Sequence, residues 1–429
     1  MDVTTKERIV IIGGGFAGLN IVKRLDKDKW QITLVDKNNY HSFPPLFYQV
    51  ASSGLDPGSI SFPFRREIRK MKKKGVRFHM GEVKAIDALR REVVTQYETI
   101  CYDRLIIAAG TTNNFFGDPG LEKYVFTLKS TPEAIRCRNE VLQHLERAAT
   151  SHDPRTRRDL LSFVVVGGGP TGVEIAGALG EMKRYILPRE YPDISPDELS
   201  ITLIEGSDAV LRNMSDTARR QALEYLGHLM VDVRLGKQMT GYEDNVVTLN
   251  DGTSVHASMV IWTAGITGTT FTYEGKAPLS APGGRIEVDE FNRVKGLDGV
   301  YAVGDIAYMS TIGWPHGHPQ LAQVAIQQSR LLASQLNAGA FTRAFRYRDR
   351  GTMATVGRNR AVADLKFCHL YGRPAWLTWM FVHLISILGM RNKISVLINW
   401  IWAYFTYSTS LRLLFLPVRY PLRRRWGEK

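Results

Sequence analysis

Residues 8–25, RIVIIGGGFAGLNIVKRL, decide the fold of this 429-residue chain. An apolar run leads into a glycine turn, and a helical pattern follows it. Gly13, Gly15 and Gly18 have the G-x-G-x-x-G spacing, and the next apolar run ends at Asp36. One glycine makes the tight turn, one lets a pyrophosphate approach the backbone, and one lets the helix pack on the sheet. The pattern predicts a βαβ unit that binds a dinucleotide through the amino end of its helix and the Asp36 carboxylate.

The same unit occurs again at residues 160–179, LLSFVVVGGGPTGVEIAGAL. Gly167, Gly169 and Gly172 repeat the glycine spacing 154 residues after the first set, and the following strand, SITLIEG, reaches Glu205. A dehydrogenase that uses one dinucleotide needs only one such unit, so the repeat indicates two dinucleotide sites. The sequence therefore predicts an α/β fold with two Rossmann-like domains.

Three further apolar strands lead into turns made of small or acidic residues. They are followed by Ala109-Gly110, Ala264-Gly265 and Gly304-Asp305. Small residues let the chain pass close to a cofactor, and a carboxylate can accept a hydrogen bond from a polyol. Each of the three turns is also compatible with an ordinary strand terminus. The helical pattern that starts near Ala322 and Gln323 would direct its dipole at the same place and could stabilise negative charge on a reduced cofactor. A glutamine at such a position is, taken alone, more often an ordinary helix-terminus residue.

These features resemble the two-dinucleotide-binding-domain flavoproteins and, within them, the type II NADH:quinone oxidoreductases. The narrower resemblance rests on FPPLFYQVASSGLDPGSISFPFR (43–65), GGGPTGVEIAGAL (167–179), AVGDIA (302–307), LAQVAIQQ (321–328) and GMRNKISVLINWIWAYFTY (389–407). It covers essentially the whole chain. It implies a glutathione-reductase-like arrangement with an FAD-binding domain at residues 1–120 and 265–350, an NADH-binding domain at 121–264 and a C-terminal membrane-anchoring region at 351–429.

The resemblance also implies which residues contact the nucleotides. Those that resemble the family's FAD contacts are Gly13, Gly15, Ala17, Gly18, Asp36, Lys37, Val83, Ala109, Gly110, Asp305, Ala322 and Gln323. Those that resemble its NADH contacts are Gly169, Pro170, Thr171, Glu174, Glu205, Ala264 and Gly265. By this resemblance Glu174 and Gln323 are the candidate catalytic residues, because Glu174 matches a glutamate near the nicotinamide–flavin contact and Gln323 matches a residue at the flavin edge beside quinone. Charge–dipole reasoning leaves open that Glu174 only caps the first turn of its helix.

The acid of the second unit favours NADH over NADPH. Glu205 would accept a hydrogen bond from a ribose 2′-hydroxyl and repel a 2′-phosphate, and the stretch IEGSDAV adds Asp208 but no Arg or Lys. The cysteines Cys101, Cys137 and Cys368 form no C-x-x-C or C-x4-C pair. That spacing argues against disulfide reductases and sulfide:quinone oxidoreductases, which need reactive thiolates. No metal-ligand cluster is visible.

The C-terminal region combines positive charge with apolar bulk. The net charge is +14, and residues 365–427 hold no Asp or Glu, nine basic residues and five of the eight Trp. Residues 374–390 and 394–411 are uncharged and only just long enough to span a bilayer. On a helical wheel one side of the second stretch collects the polar residues Ser395, Asn399, Thr406 and Ser410. The pattern favours an amphipathic helix in the interface of an anionic membrane, with Trp and Tyr at headgroup depth, over nucleic-acid binding. A homodimer is also expected, with the same region serving both the membrane and the dimer, while a homodimer interface alone and a spanning hairpin remain alternatives.

Together these observations predict a peripheral enzyme on the cytoplasmic side of the cell inner membrane, since the start MDVTTKER lacks a signal-peptide pattern. NADH would reduce non-covalently bound FAD, and a quinone, ubiquinone or menaquinone, would take the two electrons near Gln323 without proton pumping. Because Gln323 cannot supply protons, water or a neighbour such as Lys393 is expected to do so. The alternatives are an NADH-dependent reductase of another carrier and a low-turnover, membrane-tethered interaction protein like the apoptosis-inducing-factor group.

Overall fold

The structure is a computed structural model that describes residues 6–69, 71, 75–118, 120–406 and 411–414. Ser410 and the basic tail beyond residue 414, on which part of the membrane prediction rests, lie outside the described residues. The helices are α1 (Phe16–Arg24), α2 (Phe47–Ala51), α3 (Phe64–Ile68), α4 (Thr131–Thr150), α5 (Pro154–Leu160), α6 (Pro170–Glu181), α7 (Leu187–Glu190), α8 (Asp216–His228), α9 (Ala322–Ala338), α10 (Gly372–Ser386) and α11 (Met390–Thr406).

The strands before the second glycine turn are β1 (Glu7–Ile12), β2 (Trp30–Asp36), β3 (Tyr40–Ser42), β4 (Ser61–Pro63), β5 (Val76–Met80), β6 (Val83–Asp87), β7 (Glu92–Thr95), β8 (Thr99–Cys101), β9 (Arg104–Ile107), β10 (Thr111–Asn113), β11 (Phe126–Thr127) and β12 (Ser162–Val166). Those after it are β13 (Ser200–Glu205), β14 (Asp232–Leu235), β15 (Met239–Glu243), β16 (Val246–Leu249), β17 (Ser254–His256), β18 (Met259–Trp262), β19 (Ile266–Gly268), β20 (Thr272–Glu274), β21 (Ser280–Ala281), β22 (Arg285–Glu287), β23 (Val300–Ala302), β24 (Ala307–Tyr308), β25 (Thr352–Thr355), β26 (Ala361–Asp364) and β27 (His369–Tyr371).

The first glycine turn belongs to a five-stranded parallel sheet with the order β23-β9-β1-β2-β5. Residues 9–12 of β1 and 105–107 of β9 are buried on both faces, which is why these strands are continuous apolar runs, whereas the first half of β2 alternates between buried and half-buried residues. Helices α1 and α9 pack against each other. Strand β23 and helix α9 therefore return to the first unit from beyond residue 299, as a discontinuous first domain requires.

The second glycine turn belongs to an equivalent parallel sheet with the order β11-β18-β12-β13-β14. In each unit the strand before the turn pairs with the strand that ends in the acid, with Ile12 opposite Val35 and Val166 opposite Ile204. The prediction of two Rossmann-like domains is confirmed. The boundaries at residues 120, 264 and 350 stay a prediction.

The C-terminal region is an antiparallel sheet, β25-β26-β27, followed by α10 and α11. Seven of its buried residues belong to the same apolar core as the second sheet: Ala354, Val356, Val362, Trp379, Ile387, Val396 and Trp400. In the parts of the chain that the structure describes, no helix has the length and apolar character needed to cross a membrane.

The tail helices differ from the prediction in how their faces are used. The polar side of α11 faces the protein, since Ser395 bonds the Ser59 hydroxyl at 2.8 Å and Asn392 donates to the Ser61 carbonyl at 3.0 Å. Trp400 is buried in the protein, so the placement of this indole at headgroup depth is wrong, and Trp379 of α10 is buried as well. A helical wheel shows which residues share a face, but not which face meets the protein.

The outer sides of these helices are apolar. They expose Leu377, Phe381, Val382, Ile385, Met390, Ile394, Leu397, Ile398, Ile401, Trp402, Tyr404 and Phe405. We call this set the outer apolar face. An exposed apolar surface of this extent is typical of a membrane or protein contact.

Candidate functional site

The first glycine turn leaves an open space at the amino end of α1. A Cβ at Gly13 would lie 2.5 Å from the Ala108 carbonyl oxygen, and one at Gly18 would lie 1.9 Å from the Gly13 carbonyl oxygen. A Cβ at Gly15 would meet no atom within 4 Å. Two glycines therefore bring strand, turn and helix into contact, whereas Gly15 opens the space that a pyrophosphate needs.

The second glycine turn repeats this geometry. A Cβ at Gly167 would lie 2.8 Å from the Ala264 nitrogen, and one at Gly172 would lie 1.8 Å from the Gly167 carbonyl oxygen. Gly169 is again open, with no atom within 4 Å of its Cβ position. No side chain caps the amino end of α6, so its backbone N–H groups remain available to an anion.

Two other predicted residues lie in the exposed first turn of α6. Pro170 occupies the start of the helix, where its missing N–H costs nothing, and Thr171 follows it at the surface. Gly265 comes after β18 with φ of +75°, and the Phe116 ring lies 2.5 Å from its Cβ position. A larger residue at Gly265 would therefore displace the aromatic ring that lies beside this turn.

In the first unit, the acid at the end of β2 binds the glycine turn. Asp36 accepts a hydrogen bond from the Gly14 N–H at 2.7 Å and one from the Asn38 N–H at 2.8 Å. Burial raises the pKa of Asp36, and these two bonds and the exposed Lys37 act in the other direction. The Asp36 carbonyl also accepts the Gly81 N–H at 2.9 Å, which places the start of β6, and so Val83, beside the acid.

In the second unit, Glu205 has the same position and makes the same type of bond. Its carboxylate accepts the Gly168 N–H, and the Ser207 N–H and hydroxyl each at 2.7 Å. The backbone N–H of Lys237 bonds the Glu205 carbonyl, but its side chain forms an ion pair with Asp251. The Lys237 ammonium, which the sequence pattern did not reveal, is therefore neutralised by the Asp251 carboxylate.

The Gly304-Asp305 turn joins the amino ends of two helices. Gly304 has φ of +76°, and its Cβ position lies 3.4 Å from the Ala17 methyl and 3.2 Å from the Ala325 methyl. Helix α9 begins at Ala322 without a side-chain cap. The Gly-Asp turn and the starts of α1 and α9 thus meet at one edge of the first sheet, as the motifs predicted.

Asp305 is half-buried and lies near two cations that sequence reasoning missed. Burial raises the pKa of Asp305, while Lys129 and Arg285 lower it. The Lys129 ammonium donates to the Thr111 hydroxyl at 2.9 Å, one residue after the Ala109-Gly110 turn. Gly110 has φ of +70° and open space at its Cβ position. No sequence pattern marks Lys129, because it precedes an ordinary helix start and reaches Asp305 only through the fold.

Glu174 lies in the second turn of α6 and faces the C-terminal region. Its Oε1 accepts a long hydrogen bond, 3.4 Å, from the Thr355 N–H. Burial raises the pKa of Glu174 to about 8, while the Thr355 N–H and the Trp379 indole act to lower it. The Trp379 Nε1 forms no hydrogen bond with any residue that the structure describes. The first turn of α6 contains no acidic residue, so the alternative that Glu174 caps it is wrong. At neutral pH the Glu174 carboxyl is mainly protonated.

A chain of hydrogen bonds leads from Thr355 to α11. The Tyr48 and Thr355 hydroxyls are 3.1 Å apart, Gln49 Nε2 donates to the Tyr48 oxygen at 2.9 Å, and Trp400 Nε1 donates to Gln49 Oε1 at 2.8 Å. Burial also raises the pKa of Tyr48. The sequence pattern had singled out the stretch 43–65 that contains Tyr48 and Gln49 but assigned neither a role.

A cavity of about 120 Å³ lies along this chain, between α6, β25, α10 and α11. Its walls include Tyr48, Gln49, Thr355, Glu181, Arg358, Trp376, Trp379, Trp400 and Tyr404. We call it the aromatic cavity. Aromatic walls with a few polar groups are typical of a site for a small organic ligand.

The two other residues predicted for the acceptor side do not line the aromatic cavity. Gln323 connects α9 to the segment before β25, donating to the Gly351 carbonyl at 3.2 Å and accepting the Arg350 N–H at 3.2 Å. The Lys393 ammonium bonds the Ile385 carbonyl at 2.6 Å and so joins α11 to the end of α10. This contact gives Lys393 a structural position away from the cavity, contrary to its suggested role as proton donor.

The three cysteines are free, and one predicted membrane anchor has other surroundings than expected. Cys137 is buried in α4, and burial raises its pKa to about 12, while Cys101 and Cys368 are exposed. The Arg412 guanidinium forms an ion pair with Glu190, and only 7% of its side chain is exposed, so it is not a free basic anchor.

Comparison with known proteins agrees with this geometry. A model of the pyridine nucleotide-disulphide oxidoreductase family matches residues 7–329, and a model of the NDH2 C-terminal domain matches residues 350–407. Type II NADH:quinone oxidoreductase Ndh of Mycobacterium tuberculosis is 34% identical over 92% of this chain and 87% of that protein.

Two solved structures show the same fold. NDH2 from Plasmodium falciparum in complex with NADH has a TM-score of 0.87 at 22% identity, with 96% of this chain and 100% of that chain covered. The sulfide:quinone oxidoreductase of Aquifex aeolicus has a TM-score of 0.71 at 17% identity, with 94% and 96% covered. The predicted resemblance and the prediction of an oxidoreductase are thereby confirmed, and the chain belongs to the type II NADH:quinone oxidoreductases within the pyridine nucleotide-disulphide oxidoreductase family.

Proposed function

We propose that the protein transfers two electrons from NADH through non-covalently bound FAD to a membrane quinone, without pumping protons. The observation that carries this proposal is the position of the aromatic cavity. It lies between α6 of the second dinucleotide unit and the tail helices that bear the outer apolar face. The aromatic cavity thus has the second dinucleotide unit on one side and the helices with the outer apolar face on the other.

The first unit fits FAD. The open space at Gly15 suits its pyrophosphate, Asp36 its adenosine ribose and Asp305 its ribityl chain. Further residues proposed to surround it are Gly13, Ala17, Gly18, Lys37, Val83, Ala109, Gly110, Ala322 and Gln323. When bound, FAD would supply the hydride acceptor between the two substrates. The uncapped start of α9 and the Lys129 ammonium supply positive potential at the same edge of the sheet.

The second unit fits NADH. Gly169 leaves room for the pyrophosphate at the free amino end of α6, and Pro170, Thr171, Ala264 and Gly265 surround that opening. The Glu205 carboxylate would bind a ribose 2′-hydroxyl and repel a 2′-phosphate. We therefore propose NADH rather than NADPH as the electron donor.

The aromatic cavity fits the headgroup of ubiquinone or menaquinone, and Glu174 would hold a proton near it. Reduction of a quinone to a quinol takes up two protons with the two electrons. Glu174 keeps a proton at neutral pH, and Thr355 and Tyr48 connect it to the cavity wall. Gln323 is then a positioning residue that fixes the segment before β25, and water replaces Lys393 as the wider source of protons.

The outer apolar face would hold the protein on the cytoplasmic side of the cell inner membrane as a peripheral protein, and part of it would serve a homodimer. Exposed Trp402 and Tyr404 suit the headgroup region. Removal of the tail is a poor test, because it would uncover the core around Trp379, Val396 and Trp400. The better variant is Phe381→Ser with Ile398→Ser, which changes only exposed side chains.

The first experiment is rapid mixing of the FAD-loaded enzyme with NADH, followed by reoxidation with a quinone analogue. We expect fast reduction with NADH, slow reduction with NADPH, and reoxidation by quinone that supports steady turnover. Slow reoxidation by every quinone tested would refute the proposal in favour of another carrier or an interaction protein.

The second experiment compares vesicle binding of the Phe381→Ser/Ile398→Ser variant with that of Leu89→Ser. Leu89 is also exposed but lies in the first unit. Only the first variant should lose vesicle binding. Equal binding by all the proteins would contradict the membrane role of the outer apolar face.

A further inference from the structure

A second cavity, of about 230 Å³, lies where α6, the β25–β26 turn and the start of α10 meet. It is lined by Glu181, Tyr185, Arg358, Asn359, Arg360 and Arg373. We call it the arginine cavity. It adjoins the aromatic cavity, with which it shares Glu181 and Arg358. We propose that the arginine cavity binds the phosphate group of an anionic membrane lipid beside the quinone site, an inference that rests on the proposed membrane function.

The charges of the lining fit a phosphate. Three guanidinium groups accompany a single carboxylate, Glu181, which accepts the backbone N–H of Arg358. Arg358 is itself held, because its Nη1 donates to the Tyr404 carbonyl at 3.2 Å. Neither Arg360 nor Arg373 forms an ion pair with any residue that the structure describes, although Arg360 acts to lower the pKa of the Glu181 carboxyl. Guanidinium groups bind phosphate through paired N–H donors, which makes arginine the usual residue for this recognition.

The helix that carries Arg373 indicates that the phosphate belongs to a lipid. Leu377, Phe381 and Ile385 follow Arg373 at intervals of four residues on α10, so all four lie along one side of the helix. The three apolar side chains are 60%, 63% and 53% exposed. A phosphate at Arg373 would therefore have an apolar stripe beginning one helical turn away, which suits acyl chains and has no purpose for a free phosphate. Basic pockets between membrane-associated helices bind anionic headgroups in the same way.

The second cation, Arg360, belongs to a different element from Arg373. Arg360 ends the turn between β25 and β26, and Tyr185 faces it from the π-helical turn Met182–Ile186 that continues α6. Headgroup and acyl chains would thus be bound by elements of the second unit and of the tail together. A bound lipid would fix α10 against α6, where the aromatic cavity has its outer wall.

The test uses the full-length, FAD-loaded protein and two variants that remove equal charge. Arg360→Gln with Arg373→Gln removes two cations from the arginine cavity. Lys366→Gln with Arg391→Gln removes two exposed cations of the same C-terminal region that do not line it. The first measurement is phospholipid phosphorus retained per chain after purification in mild detergent. The second is binding to phosphatidylcholine vesicles with and without phosphatidylglycerol.

We expect wild type and the Lys366/Arg391 variant to retain lipid, and the Arg360/Arg373 variant to lose at least about tenfold in occupancy, since two paired Arg–phosphate contacts are removed. The affinity for anionic vesicles should fall by about thirtyfold in both variants, because each loses two positive charges at ~1 kcal/mol per charge. Only in the Arg360/Arg373 variant should the affinity fall by more than this. Should that variant fail to retain FAD, Arg360→Lys with Arg373→Lys keeps the charges but loses the paired donors, and it should show an intermediate loss of lipid.

Three results would overturn the proposal. Equal loss of retained lipid in both double variants would mean diffuse attraction without a site. Inorganic phosphate that displaces the lipid at micromolar concentration would mean a soluble phosphate ligand. A change of molecular mass in the Arg360/Arg373 variant alone would mean a contact between subunits. Turnover of NADH with a short-chain quinone in detergent should be the same in all the proteins, and its absence in wild type would refute the proposed function instead.

Discussion

Replacing Glu174 by glutamine should stabilise the protein, and the gain should grow with pH. Glu174 is only 7% exposed, and burial raises its pKa from 4.5 to about 8. In the unfolded chain the carboxyl ionises near 4.5, whereas in the folded protein it keeps its proton until about pH 8. The folded state therefore binds more protons over this interval, and stability falls as pH rises through it. Glutamine retains the acceptor for the Thr355 N–H and does not ionise, so it avoids this loss.

The size of the effect follows from the shift in pKa. Each pH unit between the two pKa values changes the free energy of unfolding by about 1.4 kcal/mol. The gain from Glu174→Gln is then less than about 1 kcal/mol at pH 5, about 3 kcal/mol at pH 7 and about 4 to 5 kcal/mol above pH 8. An unfolding entropy of about 2.1 cal/mol/K per residue amounts to about 0.9 kcal/mol/K for 429 residues. The melting temperature should therefore rise by about 1 °C at pH 5 and by about 4 °C at pH 7.

Calorimetry of the FAD-loaded wild type and variant at several pH values measures this directly, because all other titrating groups cancel in the difference. The matched control is Glu82→Gln, an exposed glutamate whose pKa is lowered by its hydrogen bond to Lys84. That variant should lose stability, by an amount that does not grow above pH 6. A gain for Glu174→Gln that is the same at pH 5 and pH 8, or no gain at any pH, would refute the reasoning.

Three further changes test the nucleotide sites and the aromatic cavity. Gly15→Leu should leave the fold intact but reduce FAD content, read as flavin absorbance per chain, because its Cβ meets no atom within 4 Å; Gly18→Ala, with a Cβ 1.9 Å from a backbone oxygen, should instead reduce the yield of folded protein. Trp400→Phe removes the hydrogen bond to Gln49 and should raise the KM for quinone by up to about tenfold, the equivalent of ~0.5–1.5 kcal/mol. The rate of flavin reduction by NADH should stay unchanged. Equal effects on both steps would contradict the assignment of the aromatic cavity to quinone. Glu205→Ala should lower the ratio of kcat/KM for NADH to that for NADPH by about tenfold, and an unchanged ratio would show that Glu205 does not select the nucleotide.

The glycine turns could be predicted from sequence because their constraints are local. Gly13 and Gly167 have φ of +95° and +108°, and each packs against the end of a neighbouring strand. Only glycine meets both conditions, so the spacing alone identifies the turn. The acids at Asp36 and Glu205 follow from the same logic, since the strand that carries each acid pairs with the strand before its turn.

The aromatic cavity could not be predicted, because it depends on how the tail docks. Gln49 and Trp400 are 351 positions apart in the chain, and Tyr48 and Thr355 are 307 apart. Neither pair has a spacing that a periodic pattern could reveal. The same is true of α11, where Asn392 could face water or protein until its contact with Ser61 is known. A family pattern identified the stretches that meet, but only the fold shows that they meet each other.

The tail helices have to satisfy two environments at once. Trp379 and Trp400 face the core, while Phe381, Ile398 and Trp402 face outward. A helix that exposes a large apolar side away from the protein core requires a second apolar surface. If lipid supplies that surface, the aromatic cavity lies between the lipid and Glu174, so a quinone can reach it without crossing water, while NADH approaches the second unit from the aqueous side. We infer that this placement of α10 and α11 lets one chain pass electrons between a water-soluble donor and a lipid-soluble acceptor that never share a phase.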